Sequence, residues 1–266
     1  MNLPTVSVVI PMHNSSTTIE RALRSVMEQT SRPLEIIAVD DASTDDTCAV
    51  VEKISAHSSI PLKLLRLTEN LGSGTTRNEG WRVASGDLIA FLDADDAWHP
   101  HKLEIQVAAM GGHPEMVMSC HQHRFSKDND WDPVPSPKHR TIGLHSFLFK
   151  NRCSTPSVVV HRDIEQRFGT GSHSEDYLLW MRIVAKHGPC LKIDAPLVHC
   201  SNPAFGGGGL SGQLIAMERA ELAGYLTLRR EGSISLPTVV VASLWSIFKF
   251  AIRVARTANP LRKKQR

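Results

Sequence analysis

The sequence predicts an α/β fold, a mostly parallel, Rossmann-like central sheet flanked by helices, and three observations carry the prediction. Short apolar runs recur through residues 1–115, stretches with helical spacing separate them, and acidic and other polar residues cluster where the runs end. The runs TVSVVIP (5–11), LEIIAVDD (34–41), LKLLRL (62–67) and DLIAFLDADD (87–96) read as strands buried on both faces. After the first, TTIERALRSVMEQT puts Ile19, Ala22, Leu23, Val26 and Met27 on one helical face, with Ser16 or Thr17 as the expected cap. STDDTCAVVEKISAH begins with Ser43 or Thr44 as N-cap and acids in its first turn. Pro100 suits the first position of the helix PHKLEIQVAAM.

Residues 116–235 form a second half with a different rhythm. MVMSCHQHRF and TPSVVVHR read as strands around the polar, proline-rich loop SKDNDWDPVPSPKHR. SEDYLLWMRIVAKHG reads as a helix ended by Gly188, and CLKIDAPLVHC as a further strand. The loop FGGGGLSG (205–212) turns tightly or moves, because glycines contribute no side-chain packing. Residues 236–266 are expected to be an amphipathic C-terminal helix and basic tail. The uncharged run from Gly232 to Phe248 contains Pro237 and falls short of the roughly 20 residues of a membrane-spanning helix. Leu244, Ile247, Phe248, Ala251, Ile252 and Ala255 form one stripe and Lys249, Arg253 and Arg256 another, the pattern of a helix lying on an anionic membrane surface; docking on the domain is the alternative.

With 41% hydrophobic and 21% charged residues, the 266-residue chain is ordinary globular material, not a disordered one. The seven Lys and Arg beyond residue 248 account for more than the whole formal charge of +3, so the rest is mildly acidic and no nucleic-acid partner is expected. Five scattered cysteines without a CxxC pair suggest neither a disulfide framework nor a thiolate zinc site, and fit a reducing compartment. The N-terminal MNLPTVSVVIPMHN lacks the regions of a signal peptide, so the expected location is cytoplasmic and peripheral at the inner face of the cell membrane.

In open parallel sheets ligands bind at the carboxyl ends of the strands. Here the first strand ends in PMHN, the second in Asp40 and Asp41, and the fourth in Asp93, Asp95 and Asp96. Hard divalent cations prefer such carboxylate oxygens and are commonly shared with substrate phosphates.

Taken together, VSVVIPMHN, IIAVDDASTDDT, NLGSGTTRNEG, FLDADDAWHPHKLEIQ and SEDYLLWMRI resemble the family 2 glycosyltransferases of GT-A fold over roughly residues 5–200. The resemblance implies an inverting, metal-dependent transfer from a nucleotide sugar, a UDP-sugar being the expected donor, to a glycan or lipid-linked acceptor in polysaccharide biosynthesis, with an acceptor subdomain in the second half. It implies that Pro11, His13 and Asn14 border the nucleoside, that Asp41 bonds base or ribose, and that Arg77 reaches the nucleotide. Asp93 corresponds to the first DXD acid, Asp95 to the ligand of Mg2+ or Mn2+, and Asp96 to a donor contact. His199 matches loosely a late metal or diphosphate ligand, and Asp176 the general base of the ED motif. Simpler roles stand beside these: Asp40 or Asp41 as a helix cap, Arg77 in a surface ion pair, Ser172 with Glu175 as a capping box that also fixes Asp176. His121 and His123 alternate on one strand face and suit a structural or acceptor-lining role. A sugar nucleotidyltransferase and an inactive nucleotide-sugar-binding relative are the competing functions; the first would want a glycine-rich basic loop after strand one, which PMHNSSTT does not supply.

Overall fold

The computed structural model of the protein describes residues 3–126, 130–134, 136–170, 174–201 and 213–258. The first half runs β1 (Val6–Met12), α1 (Ile19–Met27), β2 (Glu35–Asp40), α2 (Thr47–Ser55), β3 (Leu62–Arg66), α3 (Ser73–Val83), β4 (Leu88–Phe91), β5 (Ala97–Trp98) and α4 (Lys102–Gly111). There follow β6 (Met118–Phe125), β7 (His139–Ile142), α5 (Leu144–Phe149), a 3-10 turn (Thr155–Ser157), β8 (Val159–His161), α6 (Glu175–His187), β9 (Cys190–Cys200), α7 (Leu214–Arg230) and α8 (Leu236–Ala258). The strands form one sheet in the order β3-β2-β1-β4-β8-β6-β9-β5, with β7 on β9.

The pairs β1–β2, β1–β4 and β2–β3 are parallel, as continuous apolar runs demand. Beyond β4 the sheet turns mixed: β8 is antiparallel to β4 and β6, while β6 and β9 run parallel. The sheet is therefore continuous across the 115/116 division. Ile19, Ala22, Leu23 and Val26 of α1 pack with Val8, Ile10 and Ile36 on one face; Trp81 of α3 and Trp180 of α6 pack with Val9, Ile37 and Phe91 on the other. β3 departs from expectation. As the edge strand it has one neighbour, and its residues are half-buried or exposed.

The caps differ from those read in the sequence. Thr18, not Ser16 or Thr17, precedes α1 and makes no side-chain cap bond. At α2 the Asp45 carboxylate accepts the Thr47 N–H at 3.0 Å, while Ser43 and Thr44 bond Asn14 across the gap to the β1 loop. Pro100 lies outside α4, which starts at Lys102 after His101, so it shapes the entry to the helix instead of occupying its first position. Ser174, with left-handed φ of 56°, precedes α6; Ser172 and the loop 205–212 lie outside the described residues. Gly188 ends α6 as expected, its φ of 97° being a conformation open to glycine at little cost. His121 and His123 do not share a face. Register shifts follow His121, which is fully buried, whereas His123 is exposed.

The cysteines and the C-terminal helix also depart from expectation. Cys120 of β6 and Cys153 form a disulfide, because β6 and the segment before the 3-10 turn bring their Cα atoms to 5.8 Å, within bridging range. Helix α8 is unbroken over 23 residues, since Pro237 sits in its first turn, where a missing N–H costs nothing. Its segment Leu236–Ala255, with mean hydropathy 1.6 and 17% of an 18-residue window buried, is long and apolar enough to cross a membrane by length and composition. The two stripes are also oriented in a way the sequence did not reveal. Lys249 bonds Glu221 at 3.2 Å and Arg253 bonds Glu218 at 2.8 Å, so these cations face α7. Val240, Val241, Leu244, Ile247 and Phe248 are left exposed on the outside.

Candidate active site

The rims of β1 and β2 are stitched together by their own polar residues. Pro11 and Met12 lie in register with Val39 and Asp40. His13 Nδ1 and the Asp41 carbonyl are 2.7 Å apart, and Asn14, at φ 48°, accepts the Thr44 N–H through Oδ1 at 2.8 Å while its own N–H donates to Ser43 Oγ at 2.9 Å. Asp41 is 4% exposed and accepts the backbone N–H groups of Leu71 and Gly72 at 2.8 and 2.9 Å. Asp41 thus caps no helix; it braces the loop that delivers α3.

Helix α3 carries the central cation. Arg77 donates to Asp93 at 2.6 Å and lies 3.9 Å from Glu175, so one guanidinium faces the acids after β4 and those opening α6. It is buried and not the surface ion pair considered above. Burial alone would lower its proton affinity; Asp93, then Glu175 and Asp176, outweigh burial and raise it. The close approach depends on Gly74, where a Cβ would stand 2.7 Å from the Gly169 carbonyl and 3.0 Å from Glu175 Cγ. Ser73 Oγ donates to Glu175 at 3.0 Å and completes the junction.

The turn after β4 is anchored from the opposite side. Arg21 of α1 donates to the Asp95 carbonyl and to Ser201 Oγ, and the Ser201 N–H donates to Asp96 at 3.0 Å. Asp96 is 5% exposed, and its carboxyl is pushed up to about 8, first by burial and then by Asp93 and Asp95. Burial and the neighbouring acids therefore make a charge on Asp96 costly, a cost that a cation near this turn would reduce. The aspartates do not themselves close into a cage: among the described residues, the group whose ligand atoms all approach within 4.8 Å is Cys120, Cys153 and Cys190. An ion here would be shared with phosphate oxygens.

His199 reaches the same place through β9, where it pairs with Ala97 just past the aspartates. It is 2% exposed and stacks on Trp131 with ring centroids 3.7 Å apart. Asp176 opens α6 beside Glu175, half-buried, with Oδ1 accepting the Tyr177 N–H at 2.7 Å and Oδ2 the Thr155 hydroxyl at 3.0 Å. Burial first, then Glu175, raises the affinity of Asp176 for its proton. Arg21, Ser201 and Thr155 had no signal of their own in the sequence, since each acts through a contact between distant segments.

The profile of Glycosyl transferase family 2 matches residues 7–167. A UDP-Glc:alpha-D-GlcNAc-diphosphoundecaprenol beta-1,3-glucosyltransferase of Escherichia coli, WfgD, is 32% identical over 183 residues, 67% of this chain and 69% of that protein. An uncharacterized glycosyltransferase of Nostoc sp. is 39% identical over 99 residues, 37% of this chain and 30% of that relative. Among solved structures, Staphylococcus aureus TarS 1-349 in complex with UDP-GlcNAc superposes with TM-score 0.67 at 21% identity, covering 84% of this chain and 66% of that one. The mannosyltransferase PcManGT of Pyrobaculum calidifontis, in complex with GDP-Man and Mn2+, gives TM-score 0.68 at 20% identity, covering 97% and 76%. These likenesses establish a GT-A fold.

Proposed function

We propose, for a chain that belongs to glycosyl transferase family 2, an inverting transfer of a sugar from a nucleotide diphosphate to a hydroxyl of a glycan or lipid-linked acceptor. The observation that carries this reading is the Arg77 junction, where the acids at the end of β4 meet those opening α6. Pro11, His13, Asn14 and the remaining lone pairs of Asp41 border the nucleoside in this reading. Arg77 and Asp93 face the donor sugar and diphosphate, and Asp96 makes a further donor contact. Asp95, and His199 from the strand paired with Ala97, would hold Mg2+ or Mn2+, whose contribution is positive field next to the leaving diphosphate oxygens. Asp176 takes the proton of the attacking hydroxyl. Fixed between Thr155 and the start of α6, it meets the hydroxyl in one orientation, and its raised proton affinity makes it a better base than an exposed aspartate.

The names of relatives support the substrate class, a nucleotide sugar and a polyprenol-linked acceptor. A panel of UDP-glucose, UDP-N-acetylglucosamine and GDP-mannose tests it through melting temperature. One of them should raise Tm by several degrees with Mn2+ and not with chelator, and Asp95→Asn should abolish the rise. Transfer that survives chelation would remove the metal from the reaction.

The outward face of α8 supports peripheral membrane contact in the same reading. With Lys249 and Arg253 turned to α7, attachment rests on apolar insertion, and any attraction to anionic lipid falls to Arg256 and the basic residues after it. Wild-type protein should sediment with vesicles of phosphatidylcholine and phosphatidylglycerol. Leu244→Glu with Phe248→Glu, both at exposed positions, should stay in the supernatant without losing Tm. A wild type that stays soluble beside such vesicles would end this part of the proposal.

A further inference from the structure

The six residues Arg152–Ser157, three of irregular chain and the three of the 3-10 turn, are held from five directions. Lys192 of β9 donates to the Arg152 carbonyl at 2.7 Å, and Cys153 is bonded to Cys120 of β6. The Trp98 indole N–H of β5 donates to the Pro156 carbonyl at 2.8 Å, and Gln106 of α4 donates to the Ser157 carbonyl at 3.1 Å. The fifth tie is the Thr155 hydroxyl on Asp176 of α6, at 3.0 Å. Thr155, Pro156 and Ser157 are all buried, and the turn offers the Thr155 side-chain bond to a carboxylate.

We propose that Arg152–Ser157 is the element that positions the reaction's base, acting through Thr155, and that Trp98 sets its distance from the aspartate turn. The inference rests on the reading of Asp176 as base. Trp98 stands two residues after Asp96, so a single indole N–H links the strand leaving the aspartates to the turn that orients Asp176. The Thr155 hydroxyl and the Tyr177 N–H each take one carboxylate oxygen, which fixes the carboxylate plane and leaves every oxygen a lone pair for an incoming hydroxyl. Tyr177 is itself pinned, its hydroxyl donating to the Phe147 carbonyl of α5. The charged groups around Asp176 are Arg77 on α3 and Glu175 beside it, with Arg152 and Glu221 of α7 acting on the adjoining Tyr177. Thr155 bonds the charged form of Asp176 and so lowers its proton affinity against burial and Glu175. A threonine that only filled space would do none of this.

The test follows nucleotide release from whichever panel donor stabilises the protein, with water in the acceptor position, as a function of pH. In Thr155→Val the acid limb should move to higher pH and kcat should fall about tenfold, with KM for the donor unchanged, and Thr155→Ser should restore both. Trp98→Phe, which keeps one aromatic ring but loses the indole N–H with the second ring, should lower kcat several-fold while leaving the acid limb in place. Thr155→Ala takes the place of the valine variant if the latter does not fold. An unmoved limb and undiminished kcat in the Thr155 variants, with Asp176→Asn inactive, overturns the positioning role and leaves the base standing. Full activity in Asp176→Asn removes the base reading itself.

Discussion

On the proposed role of Asp176 as base, Asp176→Asn should lower transfer about a thousandfold, leave donor binding intact and not lower the melting temperature. The first effect follows from the loss of the group proposed to accept the hydroxyl proton, a contribution of roughly 10²- to 10⁴-fold in comparable chemistry. The second follows because Asp176 contacts Thr155 and its own helix, while the acids of the donor side lie across Arg77. The third is a matter of sign. Burial, reinforced by Glu175, raises the proton affinity of Asp176 in the folded chain above its usual value, so the fold favours the protonated form. Stability contributed by this group is therefore highest at low pH and declines as pH rises from the unfolded pKa to the folded one. Where Asp176 is ionised its partly buried charge is a cost, and asparagine, which can accept from Tyr177 and donate to Thr155 Oγ, relieves it. On the proposed role, activity should run the opposite way, falling as pH drops through the raised pKa and Asp176 is protonated. A pH–rate profile and a melting curve on the same two proteins check both signs. Wild-type rates in the asparagine variant, or a Tm several degrees lower, would contradict the assignment.

What could be read before the structure divides along physical lines. β1, β2 and β4 were legible because a strand covered on both faces must be apolar throughout, and α1 and α6 because a half-covered helix must repeat near every fourth residue. The aspartates after β4 were legible because three acids within four positions make chemical sense only with a cation at hand. β5, two residues long, was not legible, and neither was the mixed extension of the sheet, because strand partners are chosen by distant segments. The inward turn of Lys249 and Arg253 escaped for the same reason. Their stripe looked solvent- or lipid-facing until Glu218 and Glu221 supplied partners from another helix. The half-cystine pair Cys120 and Cys153 carries no spacing signature, being brought together only by the path of β6 past the 3-10 turn.

Arg77 shows how far a site can depend on one such meeting. Arg77→Met should cost about 3 kcal/mol of stability, seen as a Tm lower by roughly 6–10 °C, and should abolish transfer. The cost comes less from the lost ion pairs than from the acids left behind: Glu175, whose side chain is 9% exposed, and Asp93, at 30%, would face each other's side of the junction without a cation. Because Asp93 is the more solvated of the two, water can offset part of its loss, whereas Glu175 keeps, among the described residues, the Ser73 hydroxyl. Glu175→Gln in the methionine background should therefore recover more stability than Asp93→Asn does, although neither should restore activity. Arg77→Lys retains charge but forfeits the planar fork that lets one side chain face two carboxylates, so it should keep most of the stability and lose about a hundredfold in kcat/KM. Melting curves of the five proteins, read beside nucleotide release, separate a cation that merely neutralises from one that also holds the acids after β4 and those opening α6 in register. Equal rescue by the two amide substitutions would mean that Glu175 is not coupled to Arg77 and that the two halves of the site are stabilised independently.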